Sequence, residues 1–301
     1  MDNYYVNLNY RDLLVVSGED SERFLQGQLS CDLNDLSEHD SCLGCLCDNK
    51  GRVVASFTLW KLVDIFYLEM ESGVAAIAEQ HLKKYSVFYK SDIAINNQTF
   101  SRTGLIGALA LRYLESLFPE LPTSENQITK SGEDFLRMAD SKNQRYEFWQ
   151  STNPHSSNPP NSDLTLVEGD LEKWKLLDQQ TGLYRLQTED TALYTPQELN
   201  YDQLGHISFT KGCYTGQEIV ARMHYRGKAK KRLYLLQVNA DSAPEKNMLI
   251  STDDKKAIGK IIDVVTLAKN QFQIQAIAKE SINQEISIEN LKNAEIKLIS
   301  F

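Results

Sequence analysis

The run Lys211-Gly212-Cys213-Tyr214-Thr215-Gly216-Gln217-Glu218, followed by Ile219, Val220 and Met223 at helical spacing, is where this sequence holds residue types suited to chemistry. Thr215 and Glu218 stand at capping-box spacing, which predicts a helix starting at Gly216 with Cys213 just before it. A thiol there feels the positive helix end and the charge of Lys211. Both favour the thiolate, the form that acts as nucleophile or metal ligand. Gly212 lets the backbone bend tightly or approach a ligand closely. The same residues also describe an ordinary turn into a helix whose cysteine is a small buried apolar group, and local chemistry does not choose between the two.

Other reactive residues carry weaker patterns. Cys42, Cys45 and Cys47, with Cys31 upstream, resemble a metal-ligand cluster in composition. On a strand, however, Cys45 and Cys47 face one side and Cys42 the other, so they read as buried apolar cysteines and no metal site is expected. His81 falls on the apolar stripe of a helix and reads as structural. His206 and His224 flank the signature without metal-ligand spacing to another Cys or His. There is no phosphate loop, dinucleotide fingerprint or Ser/His/Asp hydrolase signature.

At 301 residues, 42% hydrophobic and 24% charged, the chain has the apolar material for two or three compact modules. Five cysteines, an odd number, read as reduced thiols. The opening residues lack a basic-then-apolar leader, and no apolar run approaches the roughly 20 residues of a membrane span, so a cytoplasmic protein without membrane partners is expected. Net charge is −9, which argues against a surface that coats nucleic acid. Between Lys211 and Arg232, however, seven basic residues face one acid, Glu218, so this segment carries +6 and the remainder −15. A local basic patch on an acidic chain suggests an anionic ligand.

The elements that must position these residues follow from periodicity. Residues 13–16 read as a buried strand, followed by a helix capped at Asp20 or Ser21 and carrying Phe24 and Leu25. Residues 42–47 and 53–59 alternate around Asp48-Asn49-Lys50-Gly51, a hairpin signal, and 65–70 is a third strand. An amphipathic helix runs from Val74 to about Tyr85, before the β-rich Val87-Phe88-Tyr89. Residues 105–118 are apolar and partly helical, and 135–138 and 146–149 read as strands. Pro154, Pro159 and Pro160 mark an exposed loop. A helix over 171–180 has Asp170 as N-cap and stops at Gly182. Strands over 233–238, 258–266 and 272–278 predict a small C-terminal β-barrel or sandwich.

The segment K-G-C-Y-T-G-Q-E resembles the signature of the YgfZ folate-binding family, whose eukaryotic mitochondrial relatives assist iron–sulfur protein maturation. Further matches are Gly18-x-Asp20-Ser21-x-x-Phe24-Leu25-Gln26-Gly27-Gln28, Asp32, Asp48-x-Lys50-Gly51-Arg52, Lys84-Tyr85-Ser86-Val87-Phe88 and Pro196-Gln197-Glu198-Leu199-Asn200. They span most of the first 232 residues. The resemblance implies an α+β, T-protein (aminomethyltransferase)-like folate-binding fold of three modules around a central channel, with a C-terminal β-barrel. The boundaries it implies are 1–100, completed by about 165–230 including the signature, then 101–164 and 231–301.

The resemblance also implies roles. Tetrahydrofolate, or a one-carbon-substituted form, is the expected cofactor. Trp174 matches a tryptophan lining the folate pocket, where its face would stack on the pterin or benzoyl ring; on local grounds it is equally a core residue of its helix. Asp32 matches a carboxylate near the reacting folate nitrogens, or else is a turn aspartate. Tyr214, Gln217 and Arg222 complete the expected cofactor set, with Arg226 and Lys228 as further partners for folate's glutamate carboxylates. Cys213 and Lys211 are the expected chemical pair, at the channel mouth. Two departures are present: Gln180 replaces the Glu of a Glu-x-Gly arrangement, and Arg11 replaces a pocket tryptophan.

The leading expectation is a tetrahydrofolate-binding accessory protein that supports iron–sulfur cluster assembly or repair, and thereby tRNA modification, with cluster donors or client proteins as partners. The alternative is a folate-dependent aminomethyltransferase of the glycine-cleavage type, for which a cysteine signature and Gln180 are the wrong residues. A third possibility is RNA docking on the 222–232 segment, although direct nucleic-acid binding is not expected from the overall charge.

Overall fold

The computed structural model describes residues 3–153, 166–227, 229–283 and 285–299. The proline-containing run at 154–160 and Lys228 lie outside the described residues.

Strand β1 (Tyr4–Asn7) leads into β2 (Asp12–Ser17), and α1 (Ser21–Gln26) follows. Asp20 occupies the N-cap position, but its carboxylate accepts instead from Lys90 N at 2.9 Å, so it ties the helix start to the segment before β6. Strands β3 (Ser41–Cys47) and β4 (Val53–Leu62) form the expected hairpin, with Asp48 Oδ1 accepting from Lys50 N and Arg52 N and with Gly51 at φ 68°. β5 (Ile65–Met70), α2 (Val74–Lys83) and β6 (Asp92–Ile95) complete a five-stranded sheet in the order β3-β4-β5-β2-β6. α2 buries Val74, Ala75, Ala78 and Leu82 against it. The β-rich Val87-Phe88-Tyr89 does not pair. Ser86–Phe88 is a 3₁₀ turn with Val87 and Phe88 exposed, because the chain must turn back toward β6 within a few residues.

β7 (Phe100–Ile106) is followed by α3 (Ala108–Leu117), so the apolar 105–118 run is the end of a strand and then a helix. β8 (Ile128–Ser131), β9 (Asp134–Asp140), β10 (Arg145–Ser151) and β11 (Val167–Glu168) build a second sheet in the order β11-β1-β7-β10-β9-β8. β1 lies inside it, antiparallel to β7 and parallel to β11. The first strand of the 1–100 segment thus pairs within the second sheet.

α4 (Leu171–Gln180) forms as read: Asp170 accepts from Glu172 N at 2.9 Å, and Gly182 turns out of it at φ 77°. α5 (Gln217–Arg226) carries the second half of the signature. Six antiparallel strands follow: β12 (Arg232–Asn239), β13 (Leu249–Thr252), β14 (Ala257–Ala268), β15 (Gln271–Ala278), β16 (Ile286–Ile288) and β17 (Glu295–Ile299). Their order is β16-β13-β14-β15-β12-β17. Among the described residues the edge strands β16 and β17 do not pair with each other, so where a small β-barrel or sandwich was expected the sheet is a curled half-barrel. Local alternation sets the faces of strands but not whether the last edge meets the first.

The sheets share cores. Trp60 stacks on Trp149 at 4.0 Å within the cluster joining the first and second sheets. Cys45 and Cys47 share a face with Tyr184, Leu199 and Tyr201 in the core that reaches Leu233, Ile262 and Ile277 of the C-terminal sheet, whereas Cys42 packs with the core on the opposite side of the first sheet. That division follows the strand period. Among the described residues no helix is long and apolar enough to cross a membrane.

Candidate functional site

The signature is held by the segments that accompany it in the resemblance. Lys211 is buried, and its ammonium donates to Leu29 O at 2.8 Å and Cys31 O at 2.7 Å. Burial pulls its pKa below the ordinary lysine value. Tyr214 lies buried with the Lys211 ammonium 5.4 Å from its ring centroid. Thr215 donates from N to Gly27 O at 3.2 Å and from Oγ1 to Gln28 Oε1 at 3.1 Å. Gly216 takes φ 85°, where a Cβ would stand 2.5 Å from Asp48 O. Gln26, for its part, donates to Asp32 at 2.7 Å and accepts from Leu33 N at 2.9 Å.

This geometry corrects several expectations. The capping box does not form: the helix starts at Gln217, the cap is left-handed Gly216 without a side-chain bond, and the Thr215 hydroxyl is engaged by Gln28. Lys211 and Cys213 are not paired. The ammonium is held on the Leu29 and Cys31 carbonyls, while Cys213 is exposed. Cys213 is the exposed thiol of the five; Cys31, Cys45 and Cys47 are buried and Cys42 half-buried. Asp32 caps a short turn by accepting from Asn34 N at 3.0 Å, and the Gln26 and Asn34 donors outweigh partial burial to hold its carboxyl below the usual range. Gln217 reaches back to Gly212 O at 3.4 Å.

Arg222 lies on the exposed side of α5 with Tyr225 and Arg226. The basic segment is less of a patch than its sequence suggests, because Lys211 is internal and Arg232 is held bidentately by Asp202 at 2.7 and 2.9 Å. His206 is buried flat on Tyr201, with burial pulling its pKa down to about 3, and His224 stacks on Phe209 at 3.7 Å.

A cavity with a polar lining is built elsewhere. A space of about 490 Å³ opens between the end of β5, α4, the chain after it and the C-terminal sheet. Tyr10, Glu71, Lys175, Arg185, Lys246 and Asp263 line it. None of the seven residues picked from the sequence does. Trp174 is fully buried beneath α4 against Tyr4, Val6, Leu8 and Ile106, with the Arg145 guanidinium 4.6 Å from its ring, so its faces are covered by protein and not offered to a ligand. Helical period placed it on the inner side of α4; only the sheet beneath decided that inner meant core. Gln180 is exposed, and the carboxylate that α4 turns inward is Asp178.

A buried ionic cluster adjoins the cavity and shares Glu71, Asp178 and Arg185 with its lining. Arg11 Nη1 contacts Glu147 at 2.8 Å and Glu69 at 3.1 Å, with Glu71 and Asp178 each 3.7 Å from the guanidinium. Arg137 pairs with Glu147 at 2.7 Å, Arg145 with Asp178 at 2.6 Å and Arg185 with Asp178 at 2.8 Å. Burial would raise the Glu147 carboxyl, but Arg137, Arg11 and Arg185 push it down to about 2. Asp178 is held well below the usual range against its burial by Arg145, Arg185 and Arg11. Glu71 goes the other way: burial raises it more than Arg11 and Arg185 lower it. A signal for these residues was present, since Glu69 interrupts the otherwise apolar β5, Arg137 stands between Leu136 and Met138 and Glu147 between Tyr146 and Phe148, and a charge is buried only with a partner.

The three sheets with their covering helices have the fold of an aminomethyltransferase. In particular, the chain is similar to glycine cleavage system aminomethyltransferase T from Bartonella henselae, with a TM-score of 0.79, 14% identity, and coverage of 99% of this chain and 85% of that one. A partial overlap, with a TM-score of 0.37 and 16% identity over 49% of this chain and 74% of the other, is found with heterotetrameric sarcosine oxidase from Corynebacterium sp. U-96 in complex with pyrrole 2-carboxylate. No family model matches the chain.

Proposed function

We propose that this protein binds tetrahydrofolate, or a one-carbon-substituted form, in the cavity beside α4 and serves as an accessory factor for iron–sulfur cluster assembly or repair, with Cys213 as its working thiol. The observation that carries the reading is the cavity itself, within the fold of an aminomethyltransferase. At about 490 Å³ it is of cofactor size, and its lining fits both ends of a folate. Glu71 and Asp263 are carboxyls suited to the N–H donors of a pterin edge, while Lys175 and Lys246 are cations suited to glutamate carboxylates. Bound there, the folate would supply a carrier for a one-carbon unit. Lys246 is oriented by Glu189 at 2.8 Å and Asp190 at 2.5 Å, and Asp190 also accepts from the Tyr184 hydroxyl.

Support for the thiol is its exposure on a loop fixed from behind by Lys211, Thr215 and Gly216, which gives a partner cysteine or transient cluster free access. Cluster-dependent enzymes such as those that thiolate tRNA are the clients this reading names. Titration calorimetry with tetrahydrofolate tests the first half; absence of saturable binding rejects it. Cells depleted of the protein and supplied with parent or Cys213→Ser test the second, by the activity of a tRNA-thiolating cluster enzyme. Full rescue by Cys213→Ser rejects the thiol.

The fold likeness also favours a second reading, a folate-dependent aminomethyltransferase. Tetrahydrofolate-dependent ammonia release from an aminomethyl-lipoyl carrier is its assay, and none is expected here.

A further inference from the structure

The C-terminal sheet sends one carboxyl into the cavity. β14 loses register with β15 between Ile261 and Asp263, and such a bulge re-aims the side chains it contains. Asp263 there meets α4: its Oδ2 accepts from Gln179 Nε2 at 2.8 Å and its Oδ1 from Val264 N at 3.0 Å. The Gln179 amide is itself oriented, because Gln273 Nε2 donates to its Oε1 at 3.1 Å and leaves only its NH₂ for the aspartate. Gln179 and Gln273 are both buried, so a buried relay fixes the carboxyl. Glu71, the other candidate acceptor, already faces the Arg11 guanidinium at 3.7 Å. Asp263 differs: its hydrogen-bond donors are neutral, and among the described residues no ion pair reaches it. A carboxylate accepts about four hydrogen bonds, so two donors leave capacity free on the cavity side.

We infer that Asp263 is the residue that reads the ligand's N–H edge, a cyclic amidine-like pair of donors such as a tetrahydropterin presents, and that the Gln273–Gln179 relay is its positioning device. This rests on the tetrahydrofolate reading. The site is complete only when the C-terminal sheet is docked on α4, because the acceptor comes from one and its orienting amide from the other. Burial raises the Asp263 carboxyl against the Gln179 and Val264 donors and the more distant Lys175 and Lys246 charges, a cost that further donors from a ligand relieve.

The test is calorimetry on the full chain with three probes: tetrahydrofolate, 6-methyltetrahydropterin as the head alone, and p-aminobenzoylglutamate as the tail alone. Asp263→Asn is expected to weaken the first two by about tenfold or more and to leave the tail unchanged, as loss of a charge-assisted acceptor requires. Gln273→Met, which removes the relay without altering the lining, should weaken the head by a smaller factor, and it carries the test if Asp263→Asn does not fold. Head affinity equal to the parent's in the folded variant overturns this inference alone. Failure of the parent to bind tetrahydrofolate or the head overturns the folate reading and this inference together.

Discussion

Arg11 and Glu147, 136 residues apart in the chain, meet at 2.8 Å with both side chains buried. The contact joins the loop between β1 and β2 to the middle of β10, and through Glu69 and Asp178 it extends to β5 and α4. One guanidinium thus fastens two walls of the cavity, the end of β5 and α4, to the second sheet. Arg11→Met leaves Glu69 and Glu147 short of a cation in a buried site, and a loss of about 3–5 kcal/mol is expected. Urea unfolding of the two proteins, with equal slopes, is the measurement; a difference below about 1 kcal/mol would mean water replaces the guanidinium at little cost.

Acid should loosen the same cluster. The folded pKa of Glu147, about 2, lies below its ordinary value of 4.5, so its contribution to stability is fully present above about pH 5 and is lost as pH falls toward 2. Asp178 acts with the same sign. Melting midpoints between pH 6 and pH 2.5 should fall steeply in the parent. In Glu147→Gln the protein should start less stable and the fall should be shallower. Parallel curves would show that other carboxylates dominate acid unfolding.

Trp174→Ala is predicted to act on stability before it acts on binding. The indole is fully buried between α4 and the second sheet, and its removal should cost about 3–5 kcal/mol. A variant with parental stability but no folate affinity would contradict the packing described and restore the stacking role.

Thiol counting separates Cys213 from the rest. A bulky aromatic disulfide reagent should modify one thiol rapidly in the native protein and all five in denaturant, with half-buried Cys42 slower than Cys213. Cys213→Ser should abolish the rapid phase. Its persistence would place the accessible thiol elsewhere.

Gly216→Ala tests the seating of the signature. At φ 85° and 2.5 Å from Asp48 O, an added Cβ must both strain the backbone and push the hairpin turn away. A loss of about 1–3 kcal/mol is expected, with faster amide exchange at the start of α5, and unchanged exchange there would be the contrary result.

What the sequence by itself determined was local. The β3–β4 hairpin, α4 with its Asp170 cap, the opposed faces of Cys42 and Cys45, and the strands of the C-terminal sheet are written in period, caps and turn residues, which act over a few positions. The signature was legible as a unit, and the segments that accompany it in the resemblance are the ones that hold it: Gln28 takes Thr215, Asp48 backs Gly216, and the loop at 29–31 receives Lys211. Tertiary structure alone decided which way each side chain faced once seated, turning Lys211 inward, Cys213 outward and Trp174 into the core. It also decided that β1 joins the second sheet, that the last sheet stays open, and that Arg11, Glu147, Asp178 and Asp263 converge. Those residues lie on different elements, and their meeting depends on how whole sheets dock, for which no spacing along one chain segment carries a signal.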